Sequence, residues 1–240
     1  MQVISYSLWG TNPRYLKGAI ENVKAAKIYY PDWMCRLYID ETLSMDFCKE
    51  MKKRYDNVEF YMVQNTVGPW YGLFTRFFVA DDPNVERFII RDCDSRLSKR
   101  EADAVQEWVN SGLPFHCMFD HPWHSGVPIL GGMWGAIKGC LPNVNQLVNT
   151  WIGGNQIIQK GPDQFFLRDI VWPLVKDVCM IHDETSLPQY RNPKAKPFPS
   201  PREGYRFIGE CFDENNNPAG DAAHPEHWRV LKDFLEGKPV

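Results

Sequence analysis

Short apolar runs alternate with amphipathic stretches through the first two thirds of this chain, which restricts it to an α/β architecture built on a mainly parallel sheet. Residues 3–7, 36–39 and 58–63 read as strands. A helix opens at Asn12-Pro13, with Pro early in the first turn and Leu16, Ile20 and Val23 on one face. Residues 44–55 form a second helix on the stripe Phe47, Met51 and Tyr55. Residues 70–80 are apolar almost all round except at Arg76, the pattern of a buried helix. Ser98 and Glu101 make a capping box for a helix that Gly112 and Pro114 stop. Residues 115–119, 127–130, 178–181 and 205–212 read as further strands, and 142–151, 163–172 and 225–236 as helices. Residues 187–202 are rich in Pro, Lys and Arg and read as an irregular, mobile loop. No repeat and no linker divides the 240 residues. The expected molecule is one domain with a mixed, mainly parallel sheet flanked by helices: a core over 1–183, then a loop, hairpin and terminal helix over 184–240.

The strand that follows the buried helix, Arg87-Phe88-Ile89-Ile90-Arg91, runs straight into Asp92-Cys93-Asp94. Alternate side chains of a strand share a face, so the two carboxylates are expected to point the same way where strand gives way to loop. Two hard oxygen donors at one spot suit Mg²⁺ or Mn²⁺, and such an ion commonly holds phosphates as well. Two turn-forming aspartates on a solvated strand end would give the same letters. Ligands of open parallel sheets collect beyond the carboxyl ends of the strands, and Trp9-Gly10, Asp40, Asp92, Asp94 and His182 all occupy such ends. A neutral His182 imidazole can be a third metal ligand, or a hydrogen-bonded histidine with no such role. Gly131-Gly132-Met133-Trp134-Gly135 brings backbone close to a ligand or to a packed neighbour.

Net charge is −3 with both signs interspersed, which leaves no nucleic-acid footprint. The seven cysteines are scattered and contain no C-x-x-C pair, as expected of reduced thiols in a cytosol. No signal peptide, lipidation motif or transmembrane segment is legible, and the expected location is cytoplasmic. Nine Trp, ten Tyr and fourteen Phe are a heavy aromatic load, used by sugar-binding faces and by cores alike.

Taken in order, these segments resemble the metal-dependent glycosyltransferases of the GT-A fold over most of residues 1–183. Tyr6-Ser7-Leu8-Trp9-Gly10 is similar to that family's nucleotide-binding first strand and loop, Phe74-Thr75-Arg76-Phe77 to the buried helix whose Arg reaches the donor, and Asp92-Cys93-Asp94 to its D-x-D. Gly132 then falls in the turn beside the donor sugar, Asp163 matches the acceptor-side carboxylate and His182 the C-terminal metal histidine. The resemblance implies a nucleoside-diphosphate sugar as donor, with a UDP-sugar favoured, a glycan or other hydroxyl acceptor, and Mn²⁺ or Mg²⁺ on Asp92, Asp94 and His182. Ser7, Leu8, Trp9, Asp40, Arg76, Asp92, Cys93 and Gly132 would line the donor, with Lys194, Lys196 or Arg202 closing over the diphosphate. Asp163 would be the base of an inverting transfer, is unnecessary to a retaining one, and is otherwise an N-cap of its helix. Arg76 has an alternative as the ion-pair partner of Asp81 or Asp82, and Trp123 is a candidate platform for a sugar ring. Two other classes stay open: a haloacid-dehalogenase-type phosphatase, which also places D-x-D after an apolar strand, and a non-catalytic glycan-binding protein.

Overall fold

The computed structural model describes residues 1–64, 70–155, 161–218 and 226–239. Seven strands, β1 (Gln2–Leu8), β2 (Trp33–Ile39), β3 (Val58–Met62), β4 (Arg87–Ile90), β5 (Phe115–Phe119), β6 (Trp134–Ile137) and β7 (Cys179–Asp183), form one sheet in the order β3-β2-β1-β4-β6-β5-β7. β6 pairs antiparallel with both its neighbours, whereas the β1–β2, β2–β3, β1–β4 and β5–β7 pairs are parallel. The carboxyl ends of β1, β2, β3, β4, β5 and β7 therefore share one edge, and the segment leading into β6 arrives there too. The expected α/β class and mixed, mainly parallel sheet are what the chain adopts.

Helices α1 (Pro13–Tyr29), α2 (Met45–Arg54) and α4 (Lys99–Ser111) start where their caps place them: the side chains of Asn12, Ser44 and Ser98 accept from the amides of Arg14, Asp46 and Glu101. Gly112, at φ 73°, ends α4 in the left-handed conformation that glycine adopts without a Cβ penalty. The capping box is only half formed. The Glu101 side chain turns away from its cap and pairs with Arg91, both 2% exposed, while the Tyr30 hydroxyl donates to it at 3.3 Å. α1, α2 and α4 pack with one sheet face in a cluster that includes Ile4, Leu37, Ile89 and Trp108. Phe74, Phe77, Phe88, Trp134 and Phe166 belong to a second cluster, which also takes in residues of α5 (Val144–Gly154).

Several boundaries differ from the sequence reading. The buried helix is α3 (Gly72–Thr75), tightening to a 3₁₀ turn over Arg76–Asp81. The helix expected over 163–172 starts at Pro162 and continues to Val175: α6 (Pro162–Phe166), a π-helical turn (Leu167–Val171) and α7 (Trp172–Val175). Residues 127–130 are not a strand; the strand falls at Trp134–Ile137, where Gly135 lets the Phe88 carbonyl and the Ile89 side chain approach its α-carbon. Residues 205–212 are not a strand either and contribute only isolated bridges, Ser95 with Cys211 and Phe212 with Pro218. The terminal helix is α8 (Glu226–Leu235), and Pro225, expected to open it, lies outside the described residues.

The segment expected to be a mobile loop is fastened along β7. Backbone bonds of 2.9 Å run from Lys196 N to Ile181 O and from Asp183 N to Lys196 O, and Phe198 is buried beneath the Arg100 guanidinium, 4.2 Å from its ring centroid. Arg202 and Arg100 both bond the fully buried Asp120 at the end of β5, whose Oδ2 also accepts from the Ile208 amide at 2.9 Å. Burial pushes the Asp120 carboxyl up and the two arginines pull it back. Long-range ion pairs, absent from any local spacing, thus tie residues 196–208 to the sheet.

The Arg91–Glu101 pair beneath the β4 end gives the first prediction. Glu101→Ala leaves a buried guanidinium uncompensated and should cost about 3–5 kcal/mol in urea unfolding; a loss under about 1 kcal/mol, the range of an exposed pair, would contradict this placement.

Candidate functional site

Asp92 and Asp94 lie on a turn just past β4, not on a continued strand, so turn geometry rather than strand alternation orients them. The chain leaves the sheet here because α1 crosses closely behind. A Cβ on Gly18 would collide with the Cys93 carbonyl, and Asn22 of α1 donates to the Cys93 and Ser95 carbonyls at 3.3 and 3.0 Å. The Cys93 side chain is turned inward, its thiol 3.4 Å from the Ser7 carbonyl and its pKa pushed up by burial and then by the flanking aspartates.

Arg76 is the centre of the site. One terminal nitrogen bonds the Asp92 carboxylate and lies 3.3 Å from the Arg91 carbonyl; the other bonds Asp163 at 3.0 Å. Its side chain and that of Asp163 are each 5% exposed, whereas Asp92 is 43% exposed and faces solvent. The alternative partners expected for Arg76 are engaged elsewhere: Asp82 with Arg36, and Asp81 with the first amides of α5, Val144 and Asn145, at 2.7 Å each. β1 holds Arg76 by its backbone, since Ser5 donates to its carbonyl at 2.6 Å and Ser7 Oγ accepts from its amide at 3.0 Å. The Ser7 hydroxyl, also 2.8 Å from Thr75, is thereby committed to positioning Arg76.

Asp163 is not a helix cap. Gly161, at φ 81°, takes that place, and the carboxylate turns inward to Arg76. Burial raises its pKa, Arg76 pulls it down and the Asp92 charge adds to the rise. Gly131 and Gly132 are where backbone meets these carboxylates. A Cβ on Gly131 would come within 2.7 Å of Asp163 Oδ2, and one on Gly132 would collide with Asp92.

Asp94 is paired with a residue the sequence reading passed over, Arg14, whose Nη2 is 2.7 Å from Asp94 Oδ2. The segment Asn12-Pro13-Arg14 reads as a helix start, and nothing in it signals a partner eighty residues away. Burial, and then repulsion from Asp92, raise the Asp94 pKa despite Arg14. Tyr15 completes this wall, its phenol raised by burial and by the Asp94 and Asp92 charges.

The remaining candidates are only partly gathered. The Trp9 ring lies against the Gly72 backbone, where a Cβ would come within 2.7 Å. Leu8 is buried in the core. The Asp40 carboxylate is taken by Thr42, whose hydroxyl in turn accepts from the Gly10 amide at 2.6 Å, so it ties the β2 end to the β1 end. Trp123 stands at the β5 end, packed edge-on to His227.

His182 is not brought to the aspartates. It lies on β7, three strands from β4 or about 14 Å at ordinary strand spacing. It is fully buried, with one nitrogen 2.8 Å from His116 Nε2 and the other 3.1 Å from Glu107. Lys196 pairs with Glu107, Lys194 lies 3.8 Å from Asp177 and Arg202 holds Asp120, so each of these cations has another carboxylate beside it. Among the described residues no group of three or more His, Cys, Asp or Glu side chains is placed to hold a metal ion. The triad expected from the sequence therefore reduces to Asp92 and Asp94. That pair still suits a hard divalent cation, which can take two protein carboxylates and complete its shell with water and phosphate oxygens, and the repulsion that raises Asp94 is what a cation relieves.

No protein-family model and no curated protein sequence matches the chain. Among solved structures, the galactosyltransferase LgtC in complex with donor and acceptor sugar analogues superimposes with a TM-score of 0.57 at 11% identity, over 100% of this chain and 97% of LgtC. An active-site mutant of LgtC gives 0.55 over the same shares. The mannosyltransferase PcManGT from Pyrobaculum calidifontis, in complex with GDP-Man and Mn²⁺, is a fainter likeness at 0.48 and 13% identity, over 77% of this chain and 55% of that one. The fold is thus that of the GT-A glycosyltransferases, as the ordered motifs imply.

A pH dependence follows from Asp94. Its raised pKa means that the folded protein binds this proton more tightly than the unfolded chain, so the linked stability is full below the ordinary carboxylate range and lost as pH rises through the folded value. Asp94→Asn should therefore melt higher than the wild type at pH 7 without ligands, with the gain shrinking as pH is lowered. A lower melting temperature at pH 7 would contradict this.

Proposed function

We propose that this chain is a glycosyltransferase that moves a sugar from a nucleoside-diphosphate sugar, with a UDP-sugar favoured, to a hydroxyl of a glycan acceptor. The observation that carries the reading is the convergence of Asp92 and Asp163 on Arg76, with Asp94 beside them on Arg14, at the carboxyl edge of a mainly parallel sheet, where only the glycines Gly131 and Gly132 fit against the two Arg76-bound carboxylates. A diphosphate is a poor leaving group until its charge is met. Asp92 and Asp94 would hold Mn²⁺ or Mg²⁺, and a bound ion of this kind supplies Lewis-acid neutralisation of the departing phosphates.

The chain's own residues do the rest. Arg76, fixed from both sides, presents a preorganised cation that needs no reorientation as negative charge develops. Trp9, seated on Gly72, offers an aromatic face at the β1 end for the nucleotide base. Asp163 is the acceptor-side carboxylate of this reading: its burial makes it a stronger base than a solvated aspartate, and its bond to Arg76 holds it in register with the donor. Gly132 keeps Asp92 free of a side chain that would displace it.

The test is calorimetric titration with a panel of nucleoside diphosphates and nucleotide sugars, with Mn²⁺ and with chelator. One nucleoside diphosphate, expected to be UDP, should bind in a Mn²⁺-dependent way, and Asp94→Ala should abolish that dependence. No nucleotide binding with metal present would defeat the proposal and bring forward the phosphatase reading that D-x-D also permits.

A further inference from the structure

We propose that Arg14 is an exchangeable counter-ion of the Asp92–Asp94 pair: it occupies Asp94 in the empty site, a divalent cation displaces it, and the freed guanidinium then takes a diphosphate oxygen of the donor. The inference rests on the metal reading above but concerns a residue which that reading did not assign.

Arg14 Nη2 is 2.7 Å from Asp94 Oδ2, with the two side chains 22% and 13% exposed. A divalent ion bound to that carboxylate would face a guanidinium near contact distance in a sparsely solvated place, so metal and Arg14 compete for Asp94. The guanidinium has little else to hold it. Its Nε is buried with no hydrogen-bond partner, and beyond Asp94 it touches the Tyr15 ring, 5.8 Å from the centroid, and Cys211, on the segment whose next amide, that of Phe212, donates to the Asp94 carbonyl at 2.8 Å. Arg76 Nε is likewise unpartnered, but Arg76 is fixed to two carboxylates and by its backbone, which leaves Arg14 as the more weakly held cation of the two.

Arg14 lies in the first turn of the 17-residue α1, where the Asn12 side chain and carbonyl already take the amides of Arg14, Tyr15 and Leu16, so an anion there is drawn by the helix dipole and by the guanidinium itself. Five N–H donors in a planar fork suit a phosphate as well as a carboxylate. Metal and nucleoside diphosphate should then bind cooperatively, because the diphosphate gives the displaced guanidinium a new partner.

Free Mn²⁺ measured by electron paramagnetic resonance tests this without turnover, with and without UDP, the probe nucleotide. Arg14→Gln should bind Mn²⁺ alone about tenfold more tightly than the wild type, the loss of one competing charge-assisted bond, and should lose most of the further tightening that UDP confers. Arg14→Lys, which keeps a cation in the same helical turn, should fall between the two. Unchanged or weaker Mn²⁺ binding in Arg14→Gln, with Mn²⁺-dependent UDP binding intact in the wild type, overturns the role of Arg14 alone. Absence of Mn²⁺ binding from both proteins, with and without UDP, overturns the metal reading and this inference together.

Discussion

A single buried guanidinium organises this edge of the molecule. Arg76 bonds Asp92 on one side and Asp163 on the other, and so joins the turn after β4 to the start of α6. A buried cation is tolerated only when paired and hydrogen-bonded, and Asp92, Asp163 and the Arg91 carbonyl meet both conditions at its two terminal nitrogens. The sheet supplies the rigidity: β1 grips the Arg76 backbone through Ser5 and Ser7, and β1 is itself paired on both sides by β2 and β4. Removing the guanidinium would free two carboxylates at once, one of them buried.

Charge is distributed along this edge by burial. Asp92 is the exposed member of the pair, Asp94 the buried one held by Arg14, and Asp163 the most enclosed. Three acidic groups and two arginines leave net negative charge in a partly desolvated place, which favours a cation there. Stability given up at a site for later use by a ligand is a common physical signature of function. The same economy appears in the glycines, since Gly131 and Gly132 stand where any side chain would strike Asp163 or Asp92.

Much of the scaffold was legible because it is encoded locally. The Pro13 helix start, the Ser98 cap, the Gly112 stop and the apolar run into Asp92 each depend on residues within a few positions of one another. What was not legible depends on distance. Residues 127–130 read as a strand because they are as apolar as Trp134–Ile137, and only antiparallel pairing with Phe88 and Ile90 decides for the latter. Residues 187–202 looked mobile from their Pro and Lys content, yet Asp120 and Ile181 fasten them. His182 looked like a ligand because it ends a strand; the strand order places it three strands away, bonded to His116 and Glu107. Arg14 looked like part of a helix start, and its bond to Asp94 exists only after folding.

If Arg76 and the carboxylates around it activate a nucleoside-diphosphate leaving group, nucleoside-diphosphate release from a panel of nucleotide sugars in Mn²⁺ should differ between the wild type and Arg76→Lys, which keeps the charge but cannot bridge Asp92 and Asp163 with a planar fork. The wild type should release the diphosphate from one nucleotide sugar, and Arg76→Lys should do so at least about a hundredfold more slowly, the scale of one preorganised electrostatic contact. Equal release by the folded variant, or no release from any nucleotide sugar by the wild type, would contradict this role.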